Sequence, residues 1–263
     1  MKLTIDGLSV HTFGDKKKQP IIFIHGFPYD HSMWEDQIEA LKEEYFCVAY
    51  DVRGLGESSI GDGQYTMEAY VDDLFSVIKE LQLNRLILCG LSMGGYISLR
   101  AAERAQELFS GLILCDTKSE ADNDAARLKR ASGINQINTG EFIKFIDSFV
   151  TNCFAEETPQ EEEKMFLTTL FKAHKHDPLG VKGAIIAIMS RTDTTSFLPK
   201  IKIPTLVLCG SFDKLTPPTV MRPMAEKIPH SEFAIIPRAG HMTPIENPKS
   251  VNELIIGFLK RRS

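Results

Sequence analysis

No Cys-x-x-Cys pair occurs in this sequence, and its five cysteines are an odd number. That argues against a disulfide framework and against a zinc site built on cysteine pairs. Cys47, Cys89, Cys115 and Cys209 sit inside short apolar runs, where a thiol behaves as a small core hydrophobe, and Cys153 follows a helical stretch. Reduced thiols of this kind point to the cytoplasm. No apolar stretch is long enough to span a bilayer, and Asp6 and Gly7 arrive before a signal-type apolar run could form. The expectation is a soluble chain without a secretory leader or a membrane contact. No block of like charge stands out, and the net charge is −5, which leaves no electrostatic footprint for nucleic acid or an anionic membrane. Internal repeats and low-complexity segments are missing too. The apolar and charged fractions, 43% and 25%, exclude disordered and fibrous classes. A chain of 263 residues can form two small domains or one large α/β domain with an insertion.

Short β-like runs recur between turn residues. Leu3 to Ile5 and Leu8 to Phe13 flank Asp6-Gly7, a hairpin signal. Runs follow at Pro20 to His25, Phe46 to Tyr50, Leu86 to Cys89, Leu112 to Cys115, Leu206 to Cys209 and Phe233 to Ile236. Most are continuously apolar, as strands buried on both faces of a parallel sheet are. Helical periodicity marks Met67 to Leu81, Gly94 to Phe109 and Ser250 to Lys260. Strands alternating with helices predict βαβ units and a sheet covered on both faces. The alternation stops between about Thr117 and Phe197, a stretch that reads as several helices. The expected organisation is a core of residues 1–116 and 197–263, with 117–196 as a helical insertion.

Gly90-Leu91-Ser92-Met93-Gly94 carries the strongest chemical signal. It fits G-x-S-x-G, in which a serine nucleophile stands on a sharp strand-to-helix turn. Such a pentapeptide arises by chance in about one chain of this length in ten, so context decides. Here it follows the strand Leu86 to Cys89 and opens a helix, as the motif requires. Glycines at positions 90 and 94 remove side chains that would collide with the turn, and the helix N-terminus favours developing negative charge. A serine needs a base. His241, in Arg238-Ala-Gly-His-Met, lies just past a strand and before the last helix. His174 and His176 fall in a polar helical segment and read as solvated, His11 lies in the opening hairpin, His230 in a turn, and His31 beside Asp30. The base needs an acid to hold its tautomer. Asp213 and Asp116 both end strands of the parallel set, where open α/β sheets place their sites. Asp213 is favoured, only in part for the chain order serine, acid, histidine, with Asp116 as the alternative. Finally, His25-Gly26-Phe27-Pro28 follows a strand, and an acyl transition state needs N–H donors aimed at its oxyanion. Pro28 has no N–H, which leaves Phe27 as the candidate donor, paired with the N–H of Met93.

These segments, with Asp51-Val-Arg-Gly-Leu-Gly-Glu-Ser58 and Gly210-Ser-Phe-Asp213, resemble the α/β-hydrolase superfamily over nearly the whole chain. The branch is similar to small bacterial carboxylesterases, enol-lactonases and cofactor-free haloperoxidases or perhydrolases. The resemblance implies an eight-stranded, mostly parallel sheet with helices on both faces and a helical cap at the insertion. It implies Ser92, Asp213 and His241 as a triad, with the Phe27 and Met93 amides as oxyanion hole and His25, Gly26, Pro28, Gly90 and Gly94 as supporting loop residues. It implies no metal and no cofactor, and it makes Asp51 to Ser58 a conformational loop, which leaves Asp51 and Arg53 out of the site.

The expected activity is cleavage of carboxylic esters of small to medium acyl groups through an acyl-enzyme on Ser92. Lactone opening or perhydrolysis is the nearest alternative, and a small-molecule receptor of the same fold with slow hydrolysis is the alternative of another class. The partner is a small-molecule ester, and oligomeric state is not legible. Phe142, Phe145 and Phe149 share one helical face that packs on the sheet or walls an acyl pocket. A histidine base fails once protonated, so the rate should fall as pH drops through about 6.5. A rate flat from about pH 5 to about pH 8 would count against such a base.

Overall fold

The computed structural model describes residues 1–261. Arg262 and Ser263, the last two of the expected core segment, lie outside the described residues. Among the described residues eight strands form one sheet: β1 (Lys2–Ile5), β2 (Leu8–Phe13), β3 (Pro20–Ile24), β4 (Phe46–Tyr50), β5 (Leu86–Leu91), β6 (Phe109–Cys115), β7 (Thr205–Gly210) and β8 (Glu232–Ile236). Their spatial order is β1-β2-β4-β3-β5-β6-β7-β8. The pairs β1–β2 and β2–β4 are antiparallel and the rest are parallel. The opening hairpin turns at Asp6 and Gly7, with φ of 48° and 81°. Two successive positive φ values give the twist that a two-residue hairpin needs. Strands β4, β5 and β7 are buried at every residue, as their unbroken apolar sequence predicts.

The helices are α1 (Glu35–Leu41), α2 (Met67–Glu80), α3 (Met93–Ala105), α4 (Asp124–Asn138), α5 (Phe142–Cys153), α6 (Thr158–Glu161), α7 (Glu163–His174), α8 (Pro178–Met189), α9 (Pro218–Glu226), α10 (Thr243–Glu246) and α11 (Pro248–Lys260). Local chemistry starts several of them. Thr66 accepts from the Ala69 amide at the head of α2, and Asn123 accepts from the Ala126 amide at the head of α4. Asp177 and Asn247 cap α8 and α11, each followed by a proline whose missing N–H costs nothing in the first turn. None of the described helices is long and apolar enough to cross a membrane.

Helices α4 to α8 all fall between β6 and β7. They are tied at their base, where the Thr194 amide donates to the Ser119 carbonyl at 2.9 Å and Arg191 pairs with Asp122 at 2.7 Å. They are tied to the sheet layer by Lys172, which donates to the Ser32 hydroxyl at 2.7 Å, and by His176. His176 was expected in solvent. It is buried instead, with Nδ1 accepting the Gly56 amide at 3.1 Å, and burial lowers its pKa. A polar flanking sequence hid a side chain that joins the insertion to the loop at 51–58.

One boundary also differs. The helical pattern predicted to reach Phe109 stops at Ala105, a 3-10 turn spans Gln106–Leu108, and Phe109 opens β6 opposite Leu86. Helical periodicity ran through Phe109, but pairing with a buried strand prevails over local propensity. Helix α9 was not expected, because it begins at Pro218 and contains Pro223, which reads locally as a loop.

Candidate active site

Ser92 follows β5 and opens α3 with φ of 52° and ψ of −109°. An L-residue there is strained by about 1–3 kcal/mol and persists only if its surroundings hold it. They do. The Ser92 amide donates to the Cys115 carbonyl at 2.9 Å, and Thr117 Oγ1 and the Tyr96 amide donate to the Ser92 carbonyl at 2.8 and 3.1 Å. A Cβ on Gly94 would lie 2.1 Å from the Ile24 carbonyl oxygen, and one on Gly90 would lie 2.4 Å from the Gly94 carbonyl. Both contacts are with backbone that cannot step aside, so the turn excludes any side chain at either position.

His241 stands in the loop after β8. Its own amide donates to the Cys153 carbonyl at 2.7 Å, and the amides on either side, Gly240 and Met242, donate to Glu246 Oε2 at 2.8 and 3.3 Å. Glu246 Oε1 accepts from the Ala155 amide and the Thr158 hydroxyl, so one carboxylate fastens the histidine loop to the end of α5. Burial raises the Glu246 pKa against those four donors. His241 Nδ1 lies 2.8 Å from Asp213 Oδ2, and both side chains are buried. Because a carboxylate only accepts, this bond places the proton on Nδ1 and leaves Nε2 free to act as a base.

Asp213 is further held by the Leu215 and Thr216 amides at 2.7 and 3.0 Å and by the Thr216 hydroxyl at 2.6 Å. Burial works to raise its pKa, but the charge and hydrogen bond of His241, followed by Thr216, outweigh it and hold the carboxyl at about 2. The consequence for stability has a definite sign. A depressed carboxyl contributes fully above the unfolded value of about 3.9 and loses that contribution as pH falls toward its folded value. Thermal melts of wild type and Asp213→Asn should therefore draw together between about pH 5 and about pH 2. A gap that stays constant over that range would contradict the assignment.

Asp116, the alternative acid, makes its hydrogen bonds elsewhere. It is fully buried, accepts from the Gly210 amide at 2.8 Å and from the Thr243 hydroxyl, and ties β7 to the segment after His241. Burial, then the nearby charge of Asp213, drives its pKa well up, so of the two carboxyls Asp213 ionises the more readily.

The segment at 25–28 is pinned by His25. Nδ1 is 2.8 Å from the Gly26 carbonyl, and Nε2 accepts the Val52 amide at 2.8 Å, while burial lowers the imidazole pKa. A neutral ring donates on one side and accepts on the other, as this arrangement requires. Asp51 holds the neighbouring loop by accepting from both the His31 ring at 2.6 Å and the Glu57 amide at 2.8 Å, and Arg53 pairs with Asp73. Among the described residues neither the Phe27 amide nor the Met93 amide donates to a protein acceptor.

Ser92 and His241 line one cavity of about 220 Å³ with Phe27, Tyr96, Phe145, Phe149, Ile185, Ile188 and Leu215. No hydrogen bond joins the serine and histidine side chains, a bond that commonly tightens only in the substrate complex. Phe149 meets the Phe27 ring edge-on at 5.0 Å, and Phe145 lies 6.0 Å from Phe149, so two of the three phenylalanines on that helical face wall the cavity. All three pack against the core, and Phe142 does not line the cavity.

Among the described residues two clusters bring possible metal ligands within 4.8 Å of one another: His11, His31 and Asp51, and Asp116, Cys209 and Asp213. Neither has the donor geometry of a metal site. The His11 and His31 rings stack at 3.6 Å, so their in-plane lone pairs do not converge. In the second cluster the carboxyls are committed to amides and hydroxyls, and burial pushes the Cys209 thiol up, away from the thiolate.

Sequence reasoning missed Thr216, Glu246 and a group of charges at one side of the cavity. Local signals existed for the first two. Asp213-Lys-Leu-Thr216 has the spacing by which an aspartate accepts from amides two and three residues on, and Thr243-Pro-Ile-Glu246 has the threonine-to-glutamate spacing of a capping box. The charges, Lys118, Asp122, Lys129 and Arg130, carried no signal, because only packing of the insertion brings them to Ser92.

Residues 19–248 match the model of the alpha/beta hydrolase fold family. A malate-bound thermophilic esterase from Thermogutta terrifontis is 33% identical, with a TM-score of 0.93 over 100% of this chain and 98% of that one. A bromoperoxidase from Bacillus anthracis is 26% identical, with a TM-score of 0.88 over 99% of this chain and 100% of that one. Among curated proteins, 3-oxoadipate enol-lactonase 2 of Acinetobacter baylyi is 27% identical over 97% of this chain and 93% of its own length. This chain belongs to the alpha/beta hydrolase fold family.

Proposed function

We propose that the chain is a carboxylesterase-type serine hydrolase acting on small to medium acyl groups. The observation that carries the reading is a single cavity holding both the strained Ser92 and a His241 already oriented by Asp213. In the cycle His241 Nε2 takes the proton from Ser92 Oγ as that oxygen attacks the ester carbonyl. The tetrahedral oxyanion is stabilised by the Phe27 and Met93 amides, and the helix start behind Ser92 adds favourable potential. His241 returns the proton to the leaving alcohol, and water activated by the same nitrogen then hydrolyses the acyl-enzyme. Residues 117–196 serve as a cap: Phe145 and Phe149 of α5 and Ile185 and Ile188 of α8 close the cavity over Ser92.

A cavity of about 220 Å³ lies below the usual range for drug-sized ligands, which favours short acyl chains. A chromogenic ester panel of increasing acyl length, run on wild type and on Ser92→Ala, tests the reading. Turnover should peak at short chains and vanish in the variant, and unchanged turnover in Ser92→Ala would end it. Phe149→Ala should shift the optimum toward longer chains, by about tenfold in the ratio of kcat/KM values. If the optimum stays where it was, α5 does not wall the acyl pocket. Opening of a lactone uses the same acyl-enzyme chemistry, and the Acinetobacter relative makes lactones the second substrate class to test.

A further inference from the structure

The cavity beside Ser92 is not uniformly apolar. One side is lined by Lys118, Lys129 and Arg130, three cations set against the single carboxylate of Asp122. That carboxylate is already shared. Asp122 Oδ2 takes Arg130 at 2.5 Å and Oδ1 takes Arg191 at 2.7 Å, while the Arg191 guanidinium lies 4.4 Å over the Tyr96 ring in the cavity wall. Both guanidiniums are therefore held in place, and because one carboxylate offsets only one of them the group keeps a net positive charge. Lys118 has no such ion pair. It is half-buried, three residues past β6, and among the described residues it makes no hydrogen bond or close ion pair, with Asp122 and Glu120 acting on it only through space.

A half-buried ammonium without a counter-ion is costly. Burial first, then the Arg191 charge, lowers the Lys118 pKa, while Asp122 and Glu120 offset this only in part. A lysine with a purely structural role in such a place would have a partner. This one lines the cavity that holds Ser92, and an anion arriving there would supply a close opposite charge.

We infer that Lys118 anchors an anion subsite beside Ser92, and that the ester or lactone this cavity accepts carries a carboxylate. The subsite stands on geometry alone, and only the statement about the ester rests on the hydrolase reading. The Asp122–Arg130–Arg191 group, which keeps a net positive charge, fixes one wall of the subsite, and exposed Lys129 adds long-range attraction at its rim.

Two measurements test this. The first is calorimetric titration of glutarate into wild type, Lys118→Met and Lys118→Arg. The second is the ratio of kcat/KM between a carboxylate-bearing ester and its neutral counterpart. Mono-4-nitrophenyl glutarate against 4-nitrophenyl pentanoate places the charge on the acyl side, and 4-carboxyphenyl acetate against phenyl acetate places it on the alcohol side. A charge-assisted contact makes glutarate binding about 10- to 100-fold weaker in Lys118→Met, lowers one of the two ratios by a similar factor, and is largely restored in Lys118→Arg. A merely structural lysine would depress charged and neutral esters alike and leave both ratios unmoved. Lys118-dependent glutarate binding in a protein that turns over no ester would keep the subsite and overturn the hydrolase reading. Ser92-dependent turnover with glutarate binding and both ratios indifferent to position 118 would keep the hydrolase and overturn the subsite.

Discussion

Asp213→Asn is expected to lower kcat about 10⁴-fold at neutral pH while the protein still folds. An asparagine amide fits the space of the carboxylate, but it presents no full charge to His241 and its NH₂ end is a donor. The imidazole then turns its lone pair toward residue 213 and its proton toward Ser92, and the base is lost. Asp116→Asn is the control that gives the experiment its edge. Asp116 is a buried carboxyl whose pKa is driven up and which makes no bond to His241, so a neutral amide costs less there, and activity should change less than about tenfold. Steady-state kinetics of the two variants decide between the two carboxyls. Comparable losses, or the larger one at Asp116, would mean that the observed Asp213–His241 bond is not the one catalysis uses.

The largest structural effect is expected at Gly94. A methyl group there would sit 2.1 Å from the Ile24 carbonyl oxygen, on the strand that leads to the His25–Pro28 segment. Relief requires α3 and β3 to part, which removes the support under Ser92. Overpacking a tight site costs typically about 1–3 kcal/mol and here should reach or exceed the top of that range. For a chain of this size that is a Tm fall of about 6–12 °C. Gly111→Ala is the contrast. Its added methyl would find its nearest neighbours at 3.6 Å or more, so Tm should hold or rise slightly. Differential scanning calorimetry on both variants checks the pair, and equal melting points would refute the packing argument at the turn.

The legible parts of the site were those written in local sequence. Gly90, Ser92 and Gly94 announce the turn because only glycine fits beside it, and Gly240-His241 stands out by its place after a strand. The strand order was not legible. It depends on which apolar edges meet, and runs such as Leu86 to Cys89 and Leu206 to Cys209 are interchangeable to the eye. His176 and Lys118 failed for a related reason. Each sits among polar neighbours, and each is withdrawn from solvent by elements far away in the chain.

Residue order alone therefore determined the fold class and the nucleophile turn, because backbone sterics and burial on both faces of a strand leave a short-range record. Only the tertiary structure decided which carboxyl bonds His241 and what charge lines the cavity. Asp213 and Asp116 follow neighbouring strands, the sequence favours Asp213 while leaving Asp116 open, and a hydrogen bond of 2.8 Å from His241 to Asp213 separates the two. Long-range packing sets such distances, and no local pattern encodes them.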